Sequence, residues 1–460
     1  MESASALSKM RIAATRPSQL KKPPDSAMVS AMRLPRTRGG AAAPLLFVLS
    51  LFFFTDAPLS GQEWAGEIRL SPQAEVSMVT IYPGEDLYSL FGHTAIRVWD
   101  PRIDLDILYN YGQASIPFDA NFVPRFVRGD LPFMLGVNYT QRAFDFYKNV
   151  EDRGIYEQKL NLTTPQRQEI FDFLAHQARR ENREYIYDYF FDNCTTRVRD
   201  LFKDLFDEEL ELPVSGGGES FREQIAPYLE GLPFVAAGIN LLFGPRSDRP
   251  PQPGEGLYLP FQLRDAVEEA RLAGVDRTRP LVSQSRMIYR QGRTAPQAPS
   301  LGPGTVGTAL LLLSLLFTLT PLFVLFQHPG KAGLAERIER LGRVYDTVLF
   351  VFVGLLGIAM VLLWIFSGYV MTYWNLNLLW AWPVHLLVPA LAVVRRRVEK
   401  LYRYYFDITA VVALLFLFSA PFLPQRFPLA AYLLAGSIFL RAGGGVILSR
   451  VRRRRRLGAV

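Results

Sequence analysis

From Val306 to about Leu448 the chain is a succession of long apolar runs, and the basic residues collect in every second gap between them. A bilayer core offers no partner for a free N–H or C=O, so a run of about 20 apolar residues can cross it only as a helix. Five spans are expected: Val306–Phe326, Thr347–Ser367, Leu378–Val394, Ile408–Phe422 and Leu429–Leu448. The choice between four and five turns on Arg441, since an arginine at mid-membrane costs roughly 2.5–3.5 kcal/mol. Arg441 lies toward the C-terminal end of its run, where a long side chain can snorkel, which favours five.

Loop charge sets the expected orientation. The Lys331–Arg343 loop, the Arg395–Arg403 loop and the Arg452–Arg456 tail are basic, whereas Gly368–Asn377 is uncharged and carries Tyr369, Tyr373 and Trp374. The basic side reads as cytoplasmic, which puts the C-terminus inside and everything before the first span outside an inner (cytoplasmic) membrane. These loops account for much of the formal net charge of +8 and remove it as an argument for nucleic-acid binding. His385, between Pro383 and Pro389, reads as a neutral histidine hydrogen-bonded inside the bundle. No carboxylate lies inside any expected span to pair with it, which argues against a transporter.

Upstream, Leu45–Phe54 is an apolar run too short to span, preceded by Arg33, Arg36 and Arg38 and followed by Ala57-Pro58-Leu59-Ser60-Gly61. That is the pattern of a cleaved secretory signal, with Met28 or Met32 as the expected start. An uncleaved signal anchor is the alternative. The expected organisation is therefore a basic N-terminus and signal (1–61), an exported α+β head (62–297), a linker (298–305), a transmembrane bundle (306–449) and a basic tail (450–460).

Export makes the cysteine count informative, because structural cysteines in an oxidising compartment come in pairs. Cys194 is the only cysteine. It is either buried and inert or kept for its chemistry. It follows Asp192-Asn193, which can cap a helix whose Val198, Leu201, Phe202 and Leu205 repeat at helical spacing. A cysteine in the first helical turn meets unpaired N–H groups and the positive end of the dipole, which favour a thiolate and can hold an oxyanion.

His93, one of four histidines, lies roughly a hundred residues earlier at the mouth of a strand, Thr94–Trp99. Ser77–Tyr82, Leu105–Gly112, Leu131–Tyr139 and Gly154–Leu162 read as further strands, and Pro83–Asp86 and Asp100-Pro101-Arg102 as turns. Counting back across the second turn places Asn110 and Tyr111 opposite His93, so Asn110 is the expected partner of the imidazole. Thr164, with Pro165 after it, is the expected cap of a helix to about Arg180, with His176 solvated. Asn182–Phe191 reads as extended. Residues 213–297 read as a lid or accessory layer, with helices near Phe221–Leu229 and Leu263–Leu272.

No cofactor or metal is called for. Gly302–Gly307 fits a dinucleotide glycine pattern but no strand precedes it, and there is no phosphate-binding loop, HExxH or second cysteine. Asp104 with Asp106, and Asp188 with Asp192, read as solvated or capping carboxylates.

Phe91-Gly92-His93-Thr94, Tyr109-Asn110-Tyr111-Gly112 and Asp192-Asn193-Cys194-Thr195 together resemble the Lnb N-terminal periplasmic domain, a bacterial family with a histidine and an Asn-Cys-Thr motif, over roughly Val76–Arg290. The order of strand with His, strand, then helix with Cys more weakly resembles permuted papain-like folds of the lecithin:retinol acyltransferase and NlpC-peptidase kind. The resemblance implies a permuted papain-like α+β head and a cysteine hydrolase or acyltransferase. Cys194 would be its nucleophile, His93 its base and Asn110 the residue that orients the imidazole. Asn193 and Thr195 would support the oxyanion, and the substrate would be an amide or ester of the cell envelope. The competing expectation is a non-catalytic assembly factor or chaperone for an exported partner, as the family's association with a lacto-N-biosidase system suggests.

Overall fold

The computed structural model describes residues 68–115, 124–125, 128–213, 218–273, 278–292, 301–327, 332–388 and 399–458. The signal, the start codon, the 298–300 part of the linker and the end of the basic tail lie outside these residues.

Within the described residues the head is built on a seven-stranded sheet. Its main strands are β1 (Glu75–Ile81), β2 (His93–Asp100), β3 (Leu105–Ala114), β4 (Pro132–Tyr139) and β5 (Ile155–Leu160). β6 (Glu184–Ile186) follows β4 in the sheet, and every pairing is antiparallel. Both faces are covered, and β1 is buried from Val76 to Ile81. Val76 and Met78 join one core, and Val79 and Ile81 join another behind it. The rear core is closed by a helix the sequence pattern did not announce, α1 (Thr140–Asn149), through Ala143, Phe144 and Tyr147.

The front core is closed by α2 (Thr164–Gln177) and α3 (Cys194–Phe206). The cap of α2 is Thr163, one residue before the expected Thr164. Its side chain accepts from the Gln166 N–H, and Pro165 sits in the first turn where its missing N–H costs nothing. In α3, Val198, Leu201, Phe202 and Phe206 are buried against the sheet. Each contributes about 1.5–3 kcal/mol of apolar burial. His176 is exposed on α2, as expected.

The region expected to be only an accessory layer also completes the sheet. A short two-stranded ribbon of β7 (Leu210–Glu211) and β8 (Arg271–Leu272) is extended by β9 (Arg279–Pro280). β10 (Val282–Tyr289) then pairs with β5 as the outer strand of the main sheet. Around it lie α4 (Phe221–Ile225), α5 (Pro233–Leu242) and α6 (Pro260–Glu269). Sequence reasoning missed β10 because its exposed residues Ser283, Gln284 and Arg286 and a register irregularity near its start blur the apolar alternation.

Among the described residues four helices are long and apolar enough to cross a membrane. They are α7 (Pro303–Gln327), α8 (Ala332–Phe366), α9 (Glu399–Ser419) and α10 (Leu429–Gly458). Much of the basic Lys331–Arg343 loop is helical, forming the first turns of α8. The expected span Leu378–Val394 is not a continuous helix in its described part. It forms two 3-10 turns, Leu376–Leu379 and Pro383–Leu387, and residues 389–398 lie outside the described residues. Pro383 lacks the N–H an α-helix would need there. One side of this irregular segment is buried against the bundle through Trp380, Ala381, His385 and Val388, while Leu379, Val384 and Leu387 are exposed. Gly354 and Gly357 on α8 form the slot that receives it, since a Cβ on Gly357 would stand 2.1 Å from the Ala381 carbonyl oxygen.

Two polar groups inside the bundle are satisfied in different ways. His385 bonds to the Tyr405 hydroxyl through Nδ1 and to the Trp380 carbonyl through Nε2 (3.0 Å), the structural role expected for it. Arg441 does not snorkel. It reaches Asp346 on α8 (Nε to Oδ1, 2.6 Å) and donates to Thr318 on α7 (2.9 Å). Asp346 lies one residue before the expected span, and for that reason the sequence reading placed no carboxylate inside the bundle.

The head is held to the bundle through the backbone. Asn375 and Asn377 donate to the Leu241 carbonyl at the end of α5 (2.7 and 3.0 Å), and Gln425 donates to Phe243 O (3.1 Å). Gly244 N–H donates to Met371 O and Gly368 N–H to Arg128 O, both at 2.7 Å. Met371 itself packs among Phe190, Phe221 and Tyr258 of the head.

Candidate functional site

His93 is the first residue of β2 and Cys194 the first residue of α3, so the two meet where a strand and a helix both begin. What fixes the helix start is Asn193. Its Oδ1 accepts from the Thr195 and Thr196 N–H groups (2.7 and 2.9 Å), and the Thr196 hydroxyl accepts in return from the Asn193 N–H (2.8 Å). The Asn193 amide hydrogens are taken by the Tyr189 and Tyr258 carbonyls. Asn193 is therefore fully occupied as a cap, and its place is behind the nucleophile. Thr195 ties the same turn to the sheet: its Oγ1 lies 3.1 Å from Thr94 Oγ1, both buried, and 3.9 Å from Cys194 Sγ.

The preceding segment is folded tightly. Asp188 Oδ1 accepts from the Phe190 and Phe191 N–H groups, and Asp192 forms an ion pair with Arg197 one helical turn on. These acids therefore shape the turn, as the capping reading of the sequence expected. Of the extended Asn182–Phe191 run only β6 is strand, and it carries Tyr185; the segment after it carries Tyr187 and turns back at the Asp188–Asp192 bridge.

The Cys194 thiol is 7 % exposed. Burial pushes its pKa up, but the charge and hydrogen bond of His93, the Thr94 N–H and the Thr195 hydroxyl outweigh burial, and the net direction is down. The His93 ring has a second partner, Asn110 Oδ1, 3.1 Å from Nε2. Asn110 uses its amide hydrogens on Leu108 O and on Asn138 Oδ1 (3.0 Å), so its oxygen is the atom that faces the ring. That makes Nε2 the donor and leaves Nδ1 for the thiol. Gln113 also donates to Asn138 Oδ1 (2.9 Å), extending the chain His93–Asn110–Asn138–Gln113 behind the imidazole.

The observed register differs from simple counting. Ile96 pairs with Tyr109, which puts Gly112, not Asn110, opposite His93. Asn110 reaches the ring diagonally, from the same face of the sheet. A bulge between Asn110 and Gln113 interrupts the β3–β4 ladder, and Gly112 within it has φ +92°. A Cβ on Gly112 would stand 3.9 Å from Cys194 Cβ and 3.8 Å from the Tyr185 hydroxyl. The glycine thus makes the bulge and leaves the floor of the site open.

That floor belongs to a cavity of about 60 Å³ whose lining includes His93, Asn110, Gly112, Tyr147, Arg153 and Cys194. It has room for a few water molecules or the narrow end of a substrate. A larger cavity of about 740 Å³ is lined by Arg69, Thr164, Gln168, Asp172 and Leu205 among others, with no histidine or cysteine. Among the described residues no cluster of His, Cys, Asp and Glu is arranged to hold a metal.

Asn138, Gln113, Tyr185 and Arg153 were not singled out by sequence reasoning. The Tyr185 hydroxyl is buried beside Cys194 with no hydrogen-bond partner among the described residues. It lies in the aromatic-dense run before the nucleophile, the one signal that could have marked it. Arg153 carries no local signal at all.

Residues 62–217 match the Lnb N-terminal periplasmic domain, and residues 304–453 match the Lnb transmembrane domain. No curated protein and no solved structure matches the chain. The first match ends at residue 217, short of β10, although β10 completes the same sheet.

Proposed function

We propose that this chain, which belongs to the Lnb family through both its periplasmic head and its membrane anchor, is a membrane-anchored cysteine hydrolase or acyltransferase. The observation that carries the reading is the placement of one imidazole between Asn110 Oδ1 and a thiol whose pKa is driven down. On this reading the head is a permuted papain-like α+β unit. The anchor holds it on the outer face of the inner membrane, with the C-terminus in the cytoplasm and the substrate an amide or ester of the cell envelope.

The chemistry follows from the groups in place. His93 Nδ1 takes the Cys194 proton, and the thiolate attacks the carbonyl carbon to give a tetrahedral oxyanion. The Cys194 N–H, at the first position of α3, and the orphaned Tyr185 hydroxyl are the donors for that oxyanion. Collapse expels the amine or alcohol with the proton from His93 and leaves a thioester on Cys194. Water, or a second acceptor, then gives its proton to His93, attacks the thioester and regenerates the thiol. Asn110 positions the ring and does not touch the substrate.

The test is the pH dependence of Cys194 alkylation by iodoacetamide in the full-length protein and in His93→Ala. An apparent thiol pKa below the free value of about 8.5, restored toward it in the variant, is the expected result. A thiol that reacts only after denaturation would refute the enzymatic reading and leave the assembly-factor reading in its place.

A further inference from the structure

Arg153 is one of the most deeply buried charges in the head, at 3 % exposure, and it lines the Cys194 cavity. Three of its contacts are structural. Nε donates to the Tyr82 carbonyl (2.6 Å), Nη1 pairs with Glu151 Oε2 (2.8 Å), and the guanidinium stacks over the Tyr147 ring at 5.5 Å. Nη2 is buried and has no partner among the described residues. Glu151 meets Nη1 through one oxygen and the Tyr88 hydroxyl through the other, and no bond from Nη2 reaches it. The remaining nearby acid, Asp86, is pushed toward its neutral form by burial and then by Glu151. A buried donor left without an acceptor is costly, and a charged one more so, so an orphaned guanidinium edge in the wall of a cavity marks the place of a ligand oxygen.

We infer that Arg153 Nη2 receives a carboxylate of the substrate, so that the acyl compound processed at Cys194 carries an anionic group next to the carbonyl that is attacked. Charge-assisted bonds of this kind are about twice as strong as neutral ones, and the planar guanidinium edge suits an oxyanion. The cavity's small volume fits the end of a chain and excludes a bulky headgroup. The inference rests on Cys194 being the nucleophile of the proposed reaction.

Two alkylating reagents that differ only in charge test it without knowledge of the substrate. The rate constants of iodoacetate and iodoacetamide toward Cys194 are measured in the full chain in detergent micelles, and their ratio is compared with that for free cysteine. Because both reagents see the same thiolate fraction, the ratio reports only what the cavity does to the added charge. A ratio about tenfold above that of free cysteine is expected. It should fall to the free-cysteine value in Arg153→Gln and be largely kept in Arg153→Lys. A ratio in the parent at or below that of free cysteine overturns the inference, as does an equal loss toward both reagents in Arg153→Gln. Should Arg153→Gln not fold, acetate must protect the parent thiol from iodoacetamide where acetamide does not, and equal protection by the two overturns it. A thiol inert to both reagents instead refutes the nucleophile itself, and the substrate assignment falls with it.

Discussion

Asn110→Ala separates a positioned imidazole from one that merely lies near a thiol. The His93 Nε2 to Asn110 Oδ1 bond is 3.1 Å long and half-buried. A neutral bond of this kind contributes about 1 kcal/mol, and a bond from an imidazolium about 2 kcal/mol. The bond therefore favours the thiolate–imidazolium state over the thiol–imidazole state by about 1 kcal/mol, or about 0.7 pKa unit. Removing it should raise the apparent Cys194 pKa by that amount. The sign follows from which state loses more: the ion pair is the state that exists above the thiol pKa, so weakening it moves the transition to higher pH. Below the transition, alkylation by iodoacetamide should slow about fivefold, and above it the two profiles should converge. Asn110→Asp should move the profile the other way, since a carboxylate beside the ring favours the imidazolium. The fold should survive both changes, because Asn138 Oδ1 keeps the Gln113 donor. A profile superimposable on the parent's would refute the positioning role, and a loss as complete as that of His93→Ala would mean that Asn110 does more than position.

The bundle offers two further checks. Asp346→Asn leaves the Arg441 guanidinium buried without its counter-charge, which should cost about 3–5 kcal/mol, whereas the double change Asp346→Leu with Arg441→Leu should come close to neutral; unfolding in detergent measures both, and a single variant as stable as the parent would show that Arg441 reaches water. Gly357→Ala should destabilise by at least about 1–3 kcal/mol, because its Cβ meets the Ala381 carbonyl oxygen at 2.1 Å on backbone that cannot step aside, while Gly445→Ala, with nothing within 4 Å, should be silent. Equal melting temperatures for the two glycine variants would refute the slot between α8 and the 3-10 segment.

What the sequence by itself determined is what depends on local pattern. Apolar runs and the alternation of basic loops announced the membrane region, but the doubt between four and five spans fell on the Arg441 run, which is a helix, and not on Leu378–Val394, whose described part is not. Asn193-Cys194-Thr195 marked a helix start because capping is a contact between residues two and three apart. The motifs around His93, Asn110 and Cys194 were enough to identify the family. The tertiary structure decided whatever depends on residues distant in the chain. Register and a bulge, not counting across a turn, bring Asn110 to His93 on the diagonal. Arg441 finds Asp346 from 95 residues away, so a charge that looked as if it must snorkel is neutralised in place. Residues 378–388 form 3-10 turns where Pro383 withholds an N–H and two glycines on another helix make a slot, and only the first of these is written locally. Arg153 shows the limit most plainly. Between Asp152 and Gly154 it looks like any surface arginine, and only the packing of Tyr82, Tyr147 and Glu151 around it buries it in the lining of the Cys194 cavity with Nη2 unpartnered among the described residues.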